Sequence, residues 1–115
     1  MAVYHEKDFV GVKVLAPGAV GVLKKSVISP NEGWQGHVMR IFEIEKGGHS
    51  PYHKHPWYHV NYVIQGKGIV HYGDQDFEVT PGSYAYIPSD ILHNFENTGD
   101  DVLKFICIVP EQGDK

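Results

Sequence analysis

The sequence predicts an all-β fold, a sandwich or small barrel of roughly eight to ten short strands with no substantial helix. Three observations carry this. Thirteen Gly and seven Pro are spread through the 115 residues and fall between short apolar runs. Several of those runs alternate large apolar residues with polar or small ones, the two-residue period of a strand. No window of useful length repeats at the 3.6-residue period of an amphipathic helix.

Residues 1–18 mix the β-branched Val10, Val12 and Val14 with a Pro17-Gly18 turn, which predicts a short edge strand and a connector. The run 21–29 carries Val22, Leu23, Val27 and Ile28 and stops at the turn cluster Ser29-Pro30-Asn31-Glu32-Gly33. Residues 36–45 predict a longer strand, with Met39, Ile41, Glu43 and Glu45 on one face and Arg40, Phe42 and Ile44 on the other. In 57–65, His59, Asn61 and Val63 alternate with Tyr58, Val60, Tyr62 and Ile64. Because the second set is large and apolar, both faces of this strand are expected to be covered, the outer one by the N-terminal strands or by a partner chain. Runs 67–72 and 76–80 flank Gly73-Asp74-Gln75, a hairpin signal. Turns at Pro81-Gly82 and Pro88-Ser89-Asp90 bracket a strand over 83–87, and 91–96 holds His93. A turn over 97–101 leads into the nearly continuous apolar run 102–109, and the tail 110–115 is expected to fray. Residues 1–115 read as one domain without a linker.

Composition narrows the function classes. Lysines are scattered, Arg40 is the lone arginine and the net charge is −4, so no basic stripe for nucleic acid is present. No apolar run is long enough to span a membrane, and residues 1–10 lack the apolar core of a secretory leader. The single cysteine, Cys107, allows no internal disulfide and fits a reducing cytoplasm, the expected location.

The chemistry concentrates in residues 47–66, which hold four of the eight histidines. In an extended chain His53 and His55 project from one face, and His59 shares their parity if the chain stays extended past Pro56. Imidazoles facing one point are costly to bury as loose polar groups, and a metal ion satisfies them together. His93 lies in a strand-like segment of its own. These residues predict a mononuclear metal site.

With the strands placed, the chain resembles the cupin superfamily, small jelly-roll barrels with a metal at the centre. The family's first motif is a glycine, five residues, His-x-His, three or four residues, Glu, six residues and Gly. Gly47, His53, His55 and Gly66 match it in register, with His59 in the glutamate position. The second motif is Gly, five residues, Pro-x-Gly, two residues, His, three residues and Asn. Gly82, Pro88, His93 and Asn97 match it, with Asp90 replacing the inner glycine, a substitution that a turn accepts. The motifs cover 47–66 and 82–97, and the predicted strands extend the likeness to most of the chain. The glutamate-to-histidine change is similar to small single-domain bacterial cupins in which four histidines hold manganese, as are the run His53–His59 and the closing Phe105-Ile106-Cys107-Ile108-Val109-Pro110. By ligand pattern the chain also resembles a four-histidine zinc cupin acting as a polyketide cyclase.

The resemblance implies one divalent transition metal per chain on His53, His55, His59 and His93, manganese or iron favoured, with zinc, nickel and copper also accepted by imidazole. Four neutral ligands leave the +2 charge uncompensated, and in octahedral geometry they leave two adjacent positions free. Tetrahedral zinc would instead be closed and structural. Asn61, Phe95, Phe105, Cys107 and Arg40 are the candidate pocket residues for a small-molecule substrate. Arg40 is read either as an anion holder or as a surface cation, and Cys107 either as a pocket thiol or as an inert buried one. Trp57 suits packing beneath the site. His49 and Tyr52 are candidate bases, His49 reading more readily as a solvated loop residue, and His5, His37 and His71 suit surface or packing roles. Gly47, Gly66 and Gly82 are turn glycines. Three functions follow: a metal-dependent oxygenase-type enzyme, a redox-neutral Lewis-acid cyclase, isomerase or lyase, and a non-catalytic small-molecule binding or sensor module. A homodimer is expected by the same resemblance.

Overall fold

A computed structural model describes residues 3–114. They form an all-β jelly-roll barrel of nine strands. In chain order these are β1 (Val12–Lys13), β2 (Val20–Ile28), β3 (His37–His49), β4 (His59–Gln65), β5 (Gly68–Tyr72), β6 (Gln75–Val79), β7 (Tyr84–Ile87), β8 (His93–Asn97) and β9 (Leu103–Pro110). Three single 3-10 turns, Glu6–Asp8, Pro30–Glu32 and Glu111–Gly113, are the only helical elements among the described residues. No described helix is long and apolar enough to cross a membrane. The strands lie in the order β6-β5-β8-β3-β9-β4-β7, with β2 on the other side of β3 and β1 on β2.

The thirteen-residue β3 joins the two sides of the barrel. Its first part pairs with β2 and β9, whereas its last residue, His49, pairs with Glu96 of β8. The strand bends between them at Gly47, whose φ of 79° suits glycine. At Gly48 a side chain would strike the Val20 carbonyl oxygen, 2.4 Å from an added Cβ. The turn signals of the sequence therefore become a strand crossing from one side of the barrel to the other.

Packing follows the predicted alternation. In β9, Leu103, Phe105, Cys107 and Val109 are all buried, with the intervening residues only half-buried. In β4, His59, Asn61 and Val63 point inward. Fully burying one large aliphatic or aromatic side chain contributes roughly 1.5–3 kcal/mol, so this inner face dominates the stability. The Gly73-Asp74 hairpin sits where Tyr72 pairs with Gln75. Asp90 adopts φ 64°, the left-handed turn that its place in the second motif demands.

Two expectations are corrected, and one of the two covers expected for the outer face of β4 drops out. Val60, Tyr62 and Ile64 are exposed in the single chain, so the N-terminal strands do not cover them and a partner chain is the alternative that stands. The N-terminal segment instead lies over β2 and β3, where Tyr4, Phe9, Val27, Met39 and Ile41 border a cavity of about 410 Å³. The tail does not fray before Asp114. Its 3-10 turn tucks Gly113 against Trp57, so tightly that an added Cβ would lie 2.7 Å from the indole nitrogen. The His53–His59 run is not a strand before His59, and only the bridge between His53 and His93 is sheet-like.

Candidate metal centre

Backbone bonds place the irregular histidine run. His53 and His93 exchange N–H donations to each other's carbonyls at 3.2 and 3.0 Å. Ser50 N–H donates to the Phe95 carbonyl, and Phe95 N–H to Ser50 Oγ, each at 2.9 Å. The Asp90 N–H donates to the His55 carbonyl at 2.8 Å, so the turn of the second motif anchors the first. Asn97, buried, clamps the far end of β8 by donating to the Ile44 and Asp101 carbonyls and accepting from Gly99 N–H. That residue of the second motif is thus a structural clamp.

The rings then converge. Ligand nitrogens of His53, His55 and His93 all lie within 4.8 Å of one another. His59 joins through His93, their Nε2 atoms 2.9 Å apart. His53 is the exposed member, and His59 and His93 are buried. Trp57 stacks flat on His55, ring centroids 4.5 Å apart, which fixes that imidazole's plane.

The hydrogen bonds behind the rings decide which nitrogen carries the proton. His55 Nδ1 meets the Trp57 carbonyl at 2.8 Å, and His93 Nδ1 meets the Ile91 carbonyl at 2.7 Å. A carbonyl only accepts, so both Nδ1 atoms are N–H donors. His59 Nδ1 donates to Asn61 Oδ1 at 2.6 Å, and Asn61 Nδ2 faces the Ile106 carbonyl at 3.4 Å, which sets the amide's orientation. Burial, reinforced by the nearby His93 charge, pushes His59 down to about 3, and burial pushes His93 down to about 4. Burial likewise lowers His53 and His55. These rings are neutral at pH 7, with Nε2 lone pairs aimed inward on the three whose Nδ1 is bound.

Two lone pairs 2.9 Å apart repel unless a cation lies between them. Nitrogen ligands ~2.1 Å from one ion and at right angles lie ~3 Å apart. The donor set, its tautomers and its spacing therefore fit a divalent transition metal.

The histidines open on a cavity of about 190 Å³ inside the barrel. Every candidate pocket residue borders it: Arg40, Asn61, Phe95, Phe105 and Cys107. Phe95 and Phe105 stack at 4.2 Å as an apolar wall. Arg40 points inward, not to the surface, and its Nη2 lies 3.0 Å from Cys107 Sγ. Burial pushes the Cys107 thiol up despite the guanidinium, so it is a thiol and not a thiolate at neutral pH. His49 and Tyr52 stay outside; the Tyr52 hydroxyl donates to the Gly73 carbonyl. His5 caps a 3-10 turn, His37 meets the Tyr58 hydroxyl at 3.2 Å, and His71 bridges Asp76 and Glu96.

Lys24 was not singled out by the sequence, yet it borders the cavity. The available signal was its parity with the inward Val22. Asp114, assigned to a fraying tail, accepts from Lys24 Nζ and Ser26 Oγ at 3.1 Å each.

Comparison with known proteins agrees with this architecture. A Rhodospirillum rubrum protein named 1-methylthio-D-xylulose 5-phosphate methylsulfurylase is 31% identical over 91 residues, 79% of this chain but only 58% of its own length. An uncharacterized protein of Methanocaldococcus jannaschii is 34% identical over 90 residues, covering 76% of this chain and 71% of that one. The structure of the polyketide cyclase RemF from Streptomyces resistomycificus superposes with a TM-score of 0.90 at 28% identity, over 96% of this chain and 80% of that one. The sequence profile of the cupin domain matches residues 40–109, which span both motifs and every candidate ligand, and the chain belongs to the cupin family.

Proposed function

We propose that this protein is a metal-dependent cupin enzyme of the oxygenase type, acting on a small organic substrate inside the barrel. His53, His55, His59 and His93 would hold the ion, manganese or iron by preference. The observation that carries the reading is the inward set of neutral Nε2 lone pairs, fixed by Trp57, Ile91 and Asn61, opening on a cavity bordered by no carboxylate. A bound divalent ion would supply uncompensated Lewis acidity and, with manganese or iron, access to dioxygen. The chain's own contribution is to hold the four rings in one tautomer, to wall off water with Phe42, Phe95 and Phe105, and to offer polar contacts through Asn61 and Arg40.

A redox-neutral reading has a specific observation in its favour, the close superposition on a polyketide cyclase. It needs a general base, and the two candidates, His49 and Tyr52, lie outside the cavity. Metal analysis of untagged protein purified without nickel or chelators tests both readings. Near one equivalent of manganese or iron, with oxygen uptake on a substrate screen, supports the first. One equivalent of zinc, with full turnover under anaerobic conditions, supports the second. Less than a tenth of an equivalent, with no thermal stabilisation by added divalent ions, refutes the metal site itself.

A further inference from the structure

The end of the cavity formed by β2 and β3 carries charge that the histidines do not explain. Lys24 and Arg40 both border it. Their side chains are only 21% and 11% exposed, so these are largely desolvated cations. One carboxylate serves both: Asp114, 3.1 Å from Lys24 Nζ and 3.8 Å from Arg40 Nη1.

Arg40 is under-satisfied. A guanidinium offers five N–H donors in a planar fork that matches a carboxylate edge. Here Nη1 reaches the Gly113 carbonyl at a long 3.4 Å, Nη2 reaches only the weakly accepting Cys107 Sγ, and Nε is buried with no partner. Buried donors left unpaired are costly, and native interiors avoid them. The Phe42 ring lies beneath the guanidinium, 4.9 Å from its carbon, and holds it flat. A rigid, positively charged, poorly paired fork beside an ammonium and the Ser26 hydroxyl has the makings of an anion site.

Strand register relates this site to the histidines. Arg40 pairs with Cys107, and Cys107 with Asn61, whose amide accepts from His59. The three residues form one inward row across β3, β9 and β4, about 10 Å wide at two inter-strand spacings.

We propose that Lys24, Arg40 and Ser26 form a carboxylate-binding subsite for a small organic acid whose other end reaches the histidine cluster, and that Asp114 occupies this subsite until the acid displaces it. The subsite itself stands on the groups just described; the second anchor rests on the metal reading above. Asp114 is held locally by a single 3-10 turn ending at Gly113, so its withdrawal need not disturb any strand of the barrel. The chain thus carries its own competitor, and the ligand class is a carboxylic acid small enough to span the row.

Calorimetric titration of malonate and of inorganic phosphate, into metal-free protein and into protein loaded with zinc, tests this. Malonate is expected to bind both forms. If Asp114 fills the subsite in about nine of ten molecules, Asp114→Asn raises malonate affinity about tenfold. Lys24→Gln and Arg40→Gln are expected to lower it about tenfold or more, with melting and zinc stoichiometry retained in at least the Lys24 variant. An unchanged or weaker affinity in Asp114→Asn would make Asp114 a structural brace and overturn the proposal. So would tighter binding of phosphate than of malonate, or indifference to Lys24→Gln. Failure to bind zinc, with the malonate pattern intact in metal-free protein, would refute the metal reading and leave the subsite standing.

Discussion

Asn61 gives the sharpest test of how the barrel prepares its histidines. Its side chain is 2% exposed, and its Oδ1 accepts from His59 Nδ1 at 2.6 Å, which keeps the lone pair on the Nε2 that faces His93. Asn61→Leu keeps the approximate volume and removes the acceptor. His59 then has two choices. It can leave Nδ1–H buried and unpaired, at a cost of about 1–3 kcal/mol. Alternatively it shifts its proton to Nε2, which removes a ligand lone pair. Loss of such a supporting partner typically lowers metal affinity by about 10–100-fold, or roughly 1.4–2.8 kcal/mol. Competition with a chromophoric chelator at neutral pH measures that affinity, and denaturant unfolding of the metal-free form measures the stability. Both should fall. Asn61→Asp, which restores an acceptor, should recover most of the affinity. Metal affinity unchanged within about twofold in Asn61→Leu would refute the argument that Asn61 sets the tautomer.

Other consequences follow from individual contacts. His71 lies between Glu96 and Asp76, whose hydrogen bonds raise its pKa. A raised folded pKa makes the protonated ring stabilising below the unfolded value and removes that contribution as pH rises through the folded one. The stability gap between the parent and His71→Gln, at most about 1 kcal/mol for a solvent-screened bridge, should therefore shrink as pH rises above the ordinary imidazole value of about 6.5. Gly66→Ala and Gly82→Ala separate conformation from sterics. Both residues have positive φ, 89° and 99°, and each substitution carries the left-handed penalty of about 1–2 kcal/mol. Only at Gly66 would the new Cβ also meet a backbone oxygen, that of Val102 at 2.4 Å, so its melting temperature should fall clearly further. The exposed row of Val60, Tyr62 and Ile64 continues onto Tyr84 and Tyr86 through the β4–β7 pairing, an apolar face suited to a second copy of the chain. A dimer in sedimentation that becomes monomeric on Tyr62→Glu, with metal content unchanged, is the expected result, and a monomeric parent protein would refute it.

What the sequence made legible was whatever is encoded at short range. The alternation of Leu103, Phe105, Cys107 and Val109 reads directly as an inward strand face, because a pleated backbone sends every second side chain the same way. The His53, His55, His59 and His93 set was legible through motif spacing, even though the chain is a strand only from His59 onward. The chain there is held instead by bonds to His93, Phe95 and Asp90, which are remote in sequence. Lys24 and Asp114 were illegible for that reason. A lysine in an alternating strand usually faces water, and six polar or small residues after a terminal strand usually fray. What orders this tail is the fit of a side-chain-free Gly113 against Trp57, which in turn lies flat on His55 of the histidine cluster. Trp57 therefore touches both the tail that carries Asp114 and a ring of the histidine cluster. Displacing the tail removes the Gly113 contact from the indole, so occupancy of the Lys24–Arg40 end and the orientation of His55 are mechanically linked through one side chain. Trp57→Phe would loosen both contacts at once, so metal affinity should fall while malonate affinity rises as the competing Asp114 is released, whereas independent sites would let one change alone.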